Sequence, residues 1–137
     1  MSKQNIIMGG LIAAVALTLL YAVEGYLVGI FSGAPSVPLQ RLMGGYWYLW
    51  LISANLIVGL VLSFFYTLFG RGIRGSHGMR GMKYGFGVWA VATVFYPPLL
   101  YANVALPFWL ISGWVIGSLV NLVVLGYILG LLVDIRE

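Results

Sequence analysis

Four apolar runs, each long enough to cross a bilayer, constrain this chain more than any other feature. They are Ile6 to Phe31, Tyr46 to Gly70, Tyr84 to Ala105 and Phe108 to Val133. A helix needs about 20 residues to cross the hydrocarbon core, and every run meets that length. Glu24 is the one acid inside them. Charged residues are 7% of the 137-residue chain, against about 25% in a soluble domain. A chain so poor in charge cannot cover a water-facing surface, so lipid is its expected solvent. The expectation is an all-α integral membrane protein with four transmembrane helices, forming a single transmembrane domain over residues 1–137. The rival reading of the first run is a cleaved signal peptide, with Lys3 as a weak n-region and Ala14-Val15-Ala16 as a cleavage motif. The run exceeds the roughly 7–15 apolar residues of such a peptide and is read as a span.

The segments between the runs differ in kind. Ser32 to Gly45 holds Gly33, Pro35, Pro38, Gly44 and Gly45 and reads as a linker. Arg71 to Lys83 places Arg71, Arg74, His77, Arg80 and Lys83 at every third position, and a glycine follows each of the first four. Those glycines argue against a regular helix, so the stretch is read as a basic loop. With Lys3 and Arg136, its cations fall on one side of a four-span topology, and only Arg41 falls on the other. Lysine and arginine collect on the cytoplasmic side. Both termini and the basic loop are therefore expected in the cytoplasm, in a plasma or bacterial inner membrane. The same localisation of charge argues against a nucleic-acid partner. Trp47, Trp50, Trp109 and Trp114 fall toward the outer face and Trp89 toward the inner, as interfacial aromatics would.

A weak internal repeat runs through the chain. Trp50-Leu51-Ile52-Ser53 matches Trp109-Leu110-Ile111-Ser112, and Ala14-Val15-Ala16 with Tyr21 echoes Ala90-Val91-Ala92 with Tyr96. It reads either as a parallel duplication of a two-helix hairpin or as chance within a small membrane alphabet. Small residues recur at a spacing of four: Gly9-Gly10 with Ala13-Ala14, Gly25 with Gly29, Gly113 with Gly117, and Gly126 with Gly130. Such pairs let helix backbones approach closely, within the chain or at a seam with other membrane subunits or a second copy.

Glu24 is the sharpest candidate for chemistry. It lies about 10 Å below the outer end of the first span, at a rise of about 1.5 Å per residue. Intramembrane acids are costly and usually face protein or water. A proton or cation relay and a counter-ion are the functional readings. A carboxyl held by Tyr21, Arg41 or Asn55 is the structural one. Asn55, Tyr96 and Asn103 are polar groups of similar depth. Pro97 and Pro98 interrupt the third span and deprive the carbonyls of Thr93 and Val94 of their usual donors. A kink there would open a concave spot lined by Tyr96, Tyr101, Trp50 and Trp114, unless neighbouring helices repair the span. Asn121 reads as an interhelical hydrogen-bonding residue. Arg71, Arg74, His77, Arg80 and Lys83 suit anionic lipid headgroups or an acidic partner surface.

Other chemistry is poorly provided for. The chain has no cysteine and one histidine, so thiolate sites and bis-histidine haem ligation are excluded, and no set of residues has metal-ligand spacing. Enzymatic activity is not expected. No cofactor is indicated, although hydrophobic cofactors need few diagnostic residues. In size, span number and a single glutamate in span one, the chain resembles the small multidrug resistance transporters. It departs from them in its strong loop charge bias and in the outer position of Glu24. The leading expectation is a structural or accessory subunit of a larger membrane complex. The alternative is a small proton- or cation-coupled transporter or channel unit using Glu24.

Overall fold

A computed structural model describes residues 3–32, 46–103 and 108–133, with side chains for these apart from 3–5, 24–25, 28–32, 47 and 100. The described residues are helical apart from the turn at 73–76 and residue 133, and contain no strand. Helix α1 spans Lys3–Ser32, α2 Trp47–Phe69, α3 His77–Asn103 and α4 Phe108–Leu132, with a 3-10 turn at Gly70–Gly72 between α2 and α3. All four helices are long and apolar enough to cross a membrane. Large apolar side chains such as Ile7, Val15, Ile57, Phe65, Val94 and Ile116 are exposed. In water they would be a liability, whereas a lipid-facing surface is expected to carry them. The linker Ser32 to Gly45 lies almost wholly outside the described residues.

Two expectations are corrected. The basic stretch is not a loop to Lys83, because α3 already begins at His77. Gly78 and Gly81 allow close helix packing, as described below, instead of breaking the helix, while Gly72 and Gly75 lie in the turn before it. Nor do Pro97 and Pro98 interrupt the third span, since α3 runs through both of them to Asn103. Proline fixes φ near −65°, a value a helix also uses. Leaving the helix inside hydrocarbon would expose more unpaired backbone groups than the two carbonyls that the prolines orphan.

The chain divides into two compact units, Ser2–Phe64 and Phe65–Glu137. In the first, α1 and α2 meet along small residues. Gly9, Gly10, Ala13, Ala14 and Leu17 are buried on α1, and Asn55, Gly59, Leu62 and Ser63 on α2. A Cβ placed on Gly59 would stand 2.5 Å from the Gly10 carbonyl oxygen and 2.8 Å from the Ala14 nitrogen. Only glycine allows that approach. The expected Gly9-Gly10/Ala13-Ala14 seam is thus present within the chain. The Ser63 hydroxyl, wholly buried, donates to the Ile6 carbonyl at 2.9 Å.

In the second unit α3 packs on α4 through a seam of glycines. Gly78, Gly81 and Gly85 on α3 are buried, as are Gly126 and Gly130 on α4. A Cβ on Gly81 would strike the Gly126 carbonyl and stand 2.9 Å from the Gly130 Cα. A Cβ on Gly85 would strike the Leu122 carbonyl, and one on Gly130 the His77 carbonyl. The contact is backbone on backbone. In a bilayer, where helices lack a hydrophobic drive to associate, such close dispersion contact would hold them. Gly113 lies off this seam, with open space around it, so its expected packing role with Gly117 is not found. The core is completed by Tyr66, Tyr84, Leu125, Leu129 and Val133.

Candidate functional site

Two of the polar candidates, Asn55 and Asn103, bond locally. Asn55, 5% exposed, donates from Nδ2 to the Thr18 hydroxyl oxygen at 3.0 Å. Thr18 in turn donates to the Ala14 carbonyl at 2.9 Å. This relay joins α1 to α2 at mid-span and occupies the amide that was expected to sit near Glu24. The Glu24 backbone belongs to α1, but its side chain lies outside the described residues. Tyr21, one turn before it, is exposed. Asn103 turns back on its own helix and donates to the Leu99 carbonyl at 2.8 Å. Tyr96, Tyr101 and Trp114, on α3 and α4, are each exposed, as is Trp50 on α2. Thr93 donates to the Trp89 carbonyl at 2.7 Å.

Sequence reasoning missed the Trp89 bond. Its indole Nε1–H donates across to the Val115 carbonyl of α4 at 3.0 Å, and the Ser118 hydroxyl donates to the same carbonyl at 2.9 Å. Trp89 spends its donor on a neighbouring helix, a pairing that only the register of α3 against α4 discloses. Thr18 and Ser63 were missed for the same reason: each has a partner on the opposite helix, far away in sequence.

Asn121 departs from its expected role. It is 3% exposed, and its Nδ2 has no hydrogen-bond partner among the described residues. An orphaned buried donor costs about 1–3 kcal/mol. Asn121→Leu, of similar volume, is therefore expected to raise the stability of the purified protein by about that amount. Thermal unfolding in detergent checks it. A lower melting temperature would show that the amide is satisfied within the protein itself.

The basic stretch is an ordered turn. Ile73 N–H donates to the Gly70 carbonyl at 3.2 Å, and Arg80 N–H donates to the Ser76 carbonyl at 2.8 Å, which starts α3. Gly75 has φ +144°, a conformation that side chains rarely adopt. Two cations of α3 reach back to it. Arg80 Nε donates to the Gly75 carbonyl at 2.7 Å, and Lys83 Nζ donates to the Arg74 carbonyl at 2.9 Å. Arg71, Arg74 and His77 are exposed. The five basic residues are thus brought together at one end of α3, but two of them serve the turn itself. Among the described residues, no three histidine, aspartate or glutamate side chains gather to hold a metal. No family model, curated protein or solved structure matches the chain.

Proposed function

We propose that the chain is a non-catalytic integral membrane protein acting as a structural or accessory subunit of a larger membrane complex. Helix seams of small residues hold it together, and its basic turn meets anionic lipid on the cytoplasmic side, where both termini also lie. One observation carries this reading. Most of the bonded polar side chains of the spans close on nearby backbone or on each other, Asn121 Nδ2 being an exception: Asn55–Thr18 and Trp89–Val115 tie one helix to the next, and Ser112–Phe108 and Asn103–Leu99 close within a helix. Groups spent in this way are not presented to a substrate. The exposed outer half of α3, with Val91, Val94, Phe95 and Leu99, offers apolar surface to lipid or a neighbouring subunit.

Native mass spectrometry of a mild-detergent extract tests the reading. The expected result is one large assembly containing other subunits. A lone monomer or small homo-oligomer overturns it. The second reading is a small proton- or cation-coupled transporter or channel unit. It is favoured by one observation, that helix α1, Lys3–Ser32, carries Glu24 within its length. Reconstituted protein would then transport, and Glu24→Gln would abolish it. Unchanged transport in Glu24→Gln sinks that reading.

A further inference from the structure

Pro97 and Pro98 deprive one carbonyl of α3 of both its usual donors. In a helix the carbonyl of residue i accepts from the N–H of residue i+4, or of residue i+3 in a 3-10 turn. For Val94 those residues are Pro98 and Pro97, and neither has an N–H. The adjacent hydroxyl, of Thr93, is spent on the Trp89 carbonyl at 2.7 Å. From Val94 to the end of α3 at Asn103 is about 13 Å, at a rise of about 1.5 Å per residue. In a bilayer that depth falls within hydrocarbon, where an unpaired carbonyl is costly.

The helix face that carries this carbonyl is bare. Gly87, Val91, Val94 and Pro98 follow the steps of four and three residues that mark one face of a helix, and all four are exposed. The face lies away from the seam with α4, since Val94 stands about 180° round the helix from Gly85. A Cβ on Gly87 would meet nothing within 4 Å among the described residues. The span in α3 is 6% buried, against 28% for each of the other three, so it leaves the most surface to be covered.

Lipid tails can cover the side chains of Val91 and Val94, but they have no donor for the carbonyl. Gly87 and the Val94 carbonyl are about 10 Å apart along one face. A body that meets both runs beside α3 inside the bilayer, and backbone running there is helical. This chain has few donors to spare. The hydroxyls of Thr18, Ser63, Thr93, Ser112 and Ser118 are spent on its own carbonyls, and the unpaired Asn121 amide is buried. That favours a different chain as the source of the donor.

We propose that this face of α3 is the docking site for a transmembrane helix of another subunit, which packs closely on Gly87 and donates a hydrogen bond from a hydroxyl or amide side chain to the Val94 carbonyl. The inference deepens the subunit reading and rests on it.

Two measurements on the full chain test it. In the first, native mass spectra of mild-detergent extracts give the ratio of assembled to free chain. Gly87→Leu fills the open space and is expected to lower that ratio about 5- to 150-fold, the usual range for overpacking. The second reads the carbonyl directly in the wild-type chain. Phenylalanine follows valine once, at Val94-Phe95, so ¹³C at valine carbonyls with ¹⁵N at phenylalanine selects a single carbonyl signal. By solid-state NMR that signal is expected at lower field in the assembly than in the isolated chain, as a hydrogen-bonded carbonyl would be. An assembly undiminished in Gly87→Leu overturns the inference and leaves the subunit reading standing. So does a Val94 carbonyl signal that is the same in both states. A homo-oligomer that Gly87→Leu breaks would assign the face to a second copy and overturn the assignment to another subunit. A wild-type chain that is free in every extract overturns both readings.

Discussion

Gly81→Ala is expected to destabilise the protein by about 3 kcal/mol, the upper part of the usual cost of overpacking. The added methyl would meet the Gly126 carbonyl and the Gly130 Cα, both backbone atoms. A crowded side chain relieves strain by changing rotamer, but backbone in the middle of a helix moves only if the helix moves. The methyl therefore pushes α3 from α4 along its length and weakens the neighbouring contacts of Gly85 with Leu122 and of Gly130 with His77. Gly87→Ala and Gly113→Ala are the controls. Each position has open space around it, and the helix preference of alanine predicts a gain of up to about 1 kcal/mol. Denaturant titration in micelles, followed by circular dichroism, ranks the three variants. Equal stability of Gly81→Ala and Gly87→Ala would mean that the helices do not touch as described.

Tyr66→Ala carries the other large effect, a loss of about 3–5 kcal/mol. Tyr66 is 1% exposed, and its ring meets the Tyr84 ring edge-on with centroids 5.2 Å apart. The substitution leaves a void where an aromatic side chain stood, at the place where the end of α2 meets the start of α3. Leu68→Ala, two residues on and exposed, is expected to change stability by no more than about 0.5 kcal/mol, as surface substitutions do. The same titration reads both. A double-mutant cycle with Tyr84→Leu should give a coupling of about 0.5–1.5 kcal/mol, the range for an aromatic pair. If Tyr66→Ala and Leu68→Ala cost the same, the burial of Tyr66 is wrong.

The four helices were legible because hydropathy over about 20 residues reports the solvent of a span directly. The start of α3 was not. Gly72, Gly75, Gly78 and Gly81 share one spacing in sequence, yet Gly72 and Gly75 belong to the turn, and Gly78 and Gly81 to a helix seam. The distinguishing signal was present: Gly81 and Gly85 repeat the spacing of Gly126 and Gly130. Charge at every third residue drew attention away from it. Spacing is also insufficient alone, since Gly113 and Gly117 have the same separation and a Cβ on Gly113 would meet nothing within 4 Å among the described residues. Which face of a helix meets its neighbour depends on register. Register likewise hid Thr18 as the partner of Asn55 and Val115 as the partner of Trp89. Of the candidate site, the basic cluster was legible as a group because its residues are close in sequence. That Arg80 and Lys83 bond to carbonyls of the turn depends on where individual side-chain donors land.

The glycine seam of α3 and α4 has a genetic consequence. When two side chains meet in a core, enlarging one can be compensated by shrinking the other, so damaging changes have second-site suppressors. Across this seam the opposing atoms are the Gly126 carbonyl, the Gly130 Cα and the carbonyls of Leu122 and His77. None of them can be made smaller by any change of residue. A selection for revertants of Gly81→Ala should therefore return glycine at residue 81 itself, with no compensating substitutions at residues 122, 126 or 130.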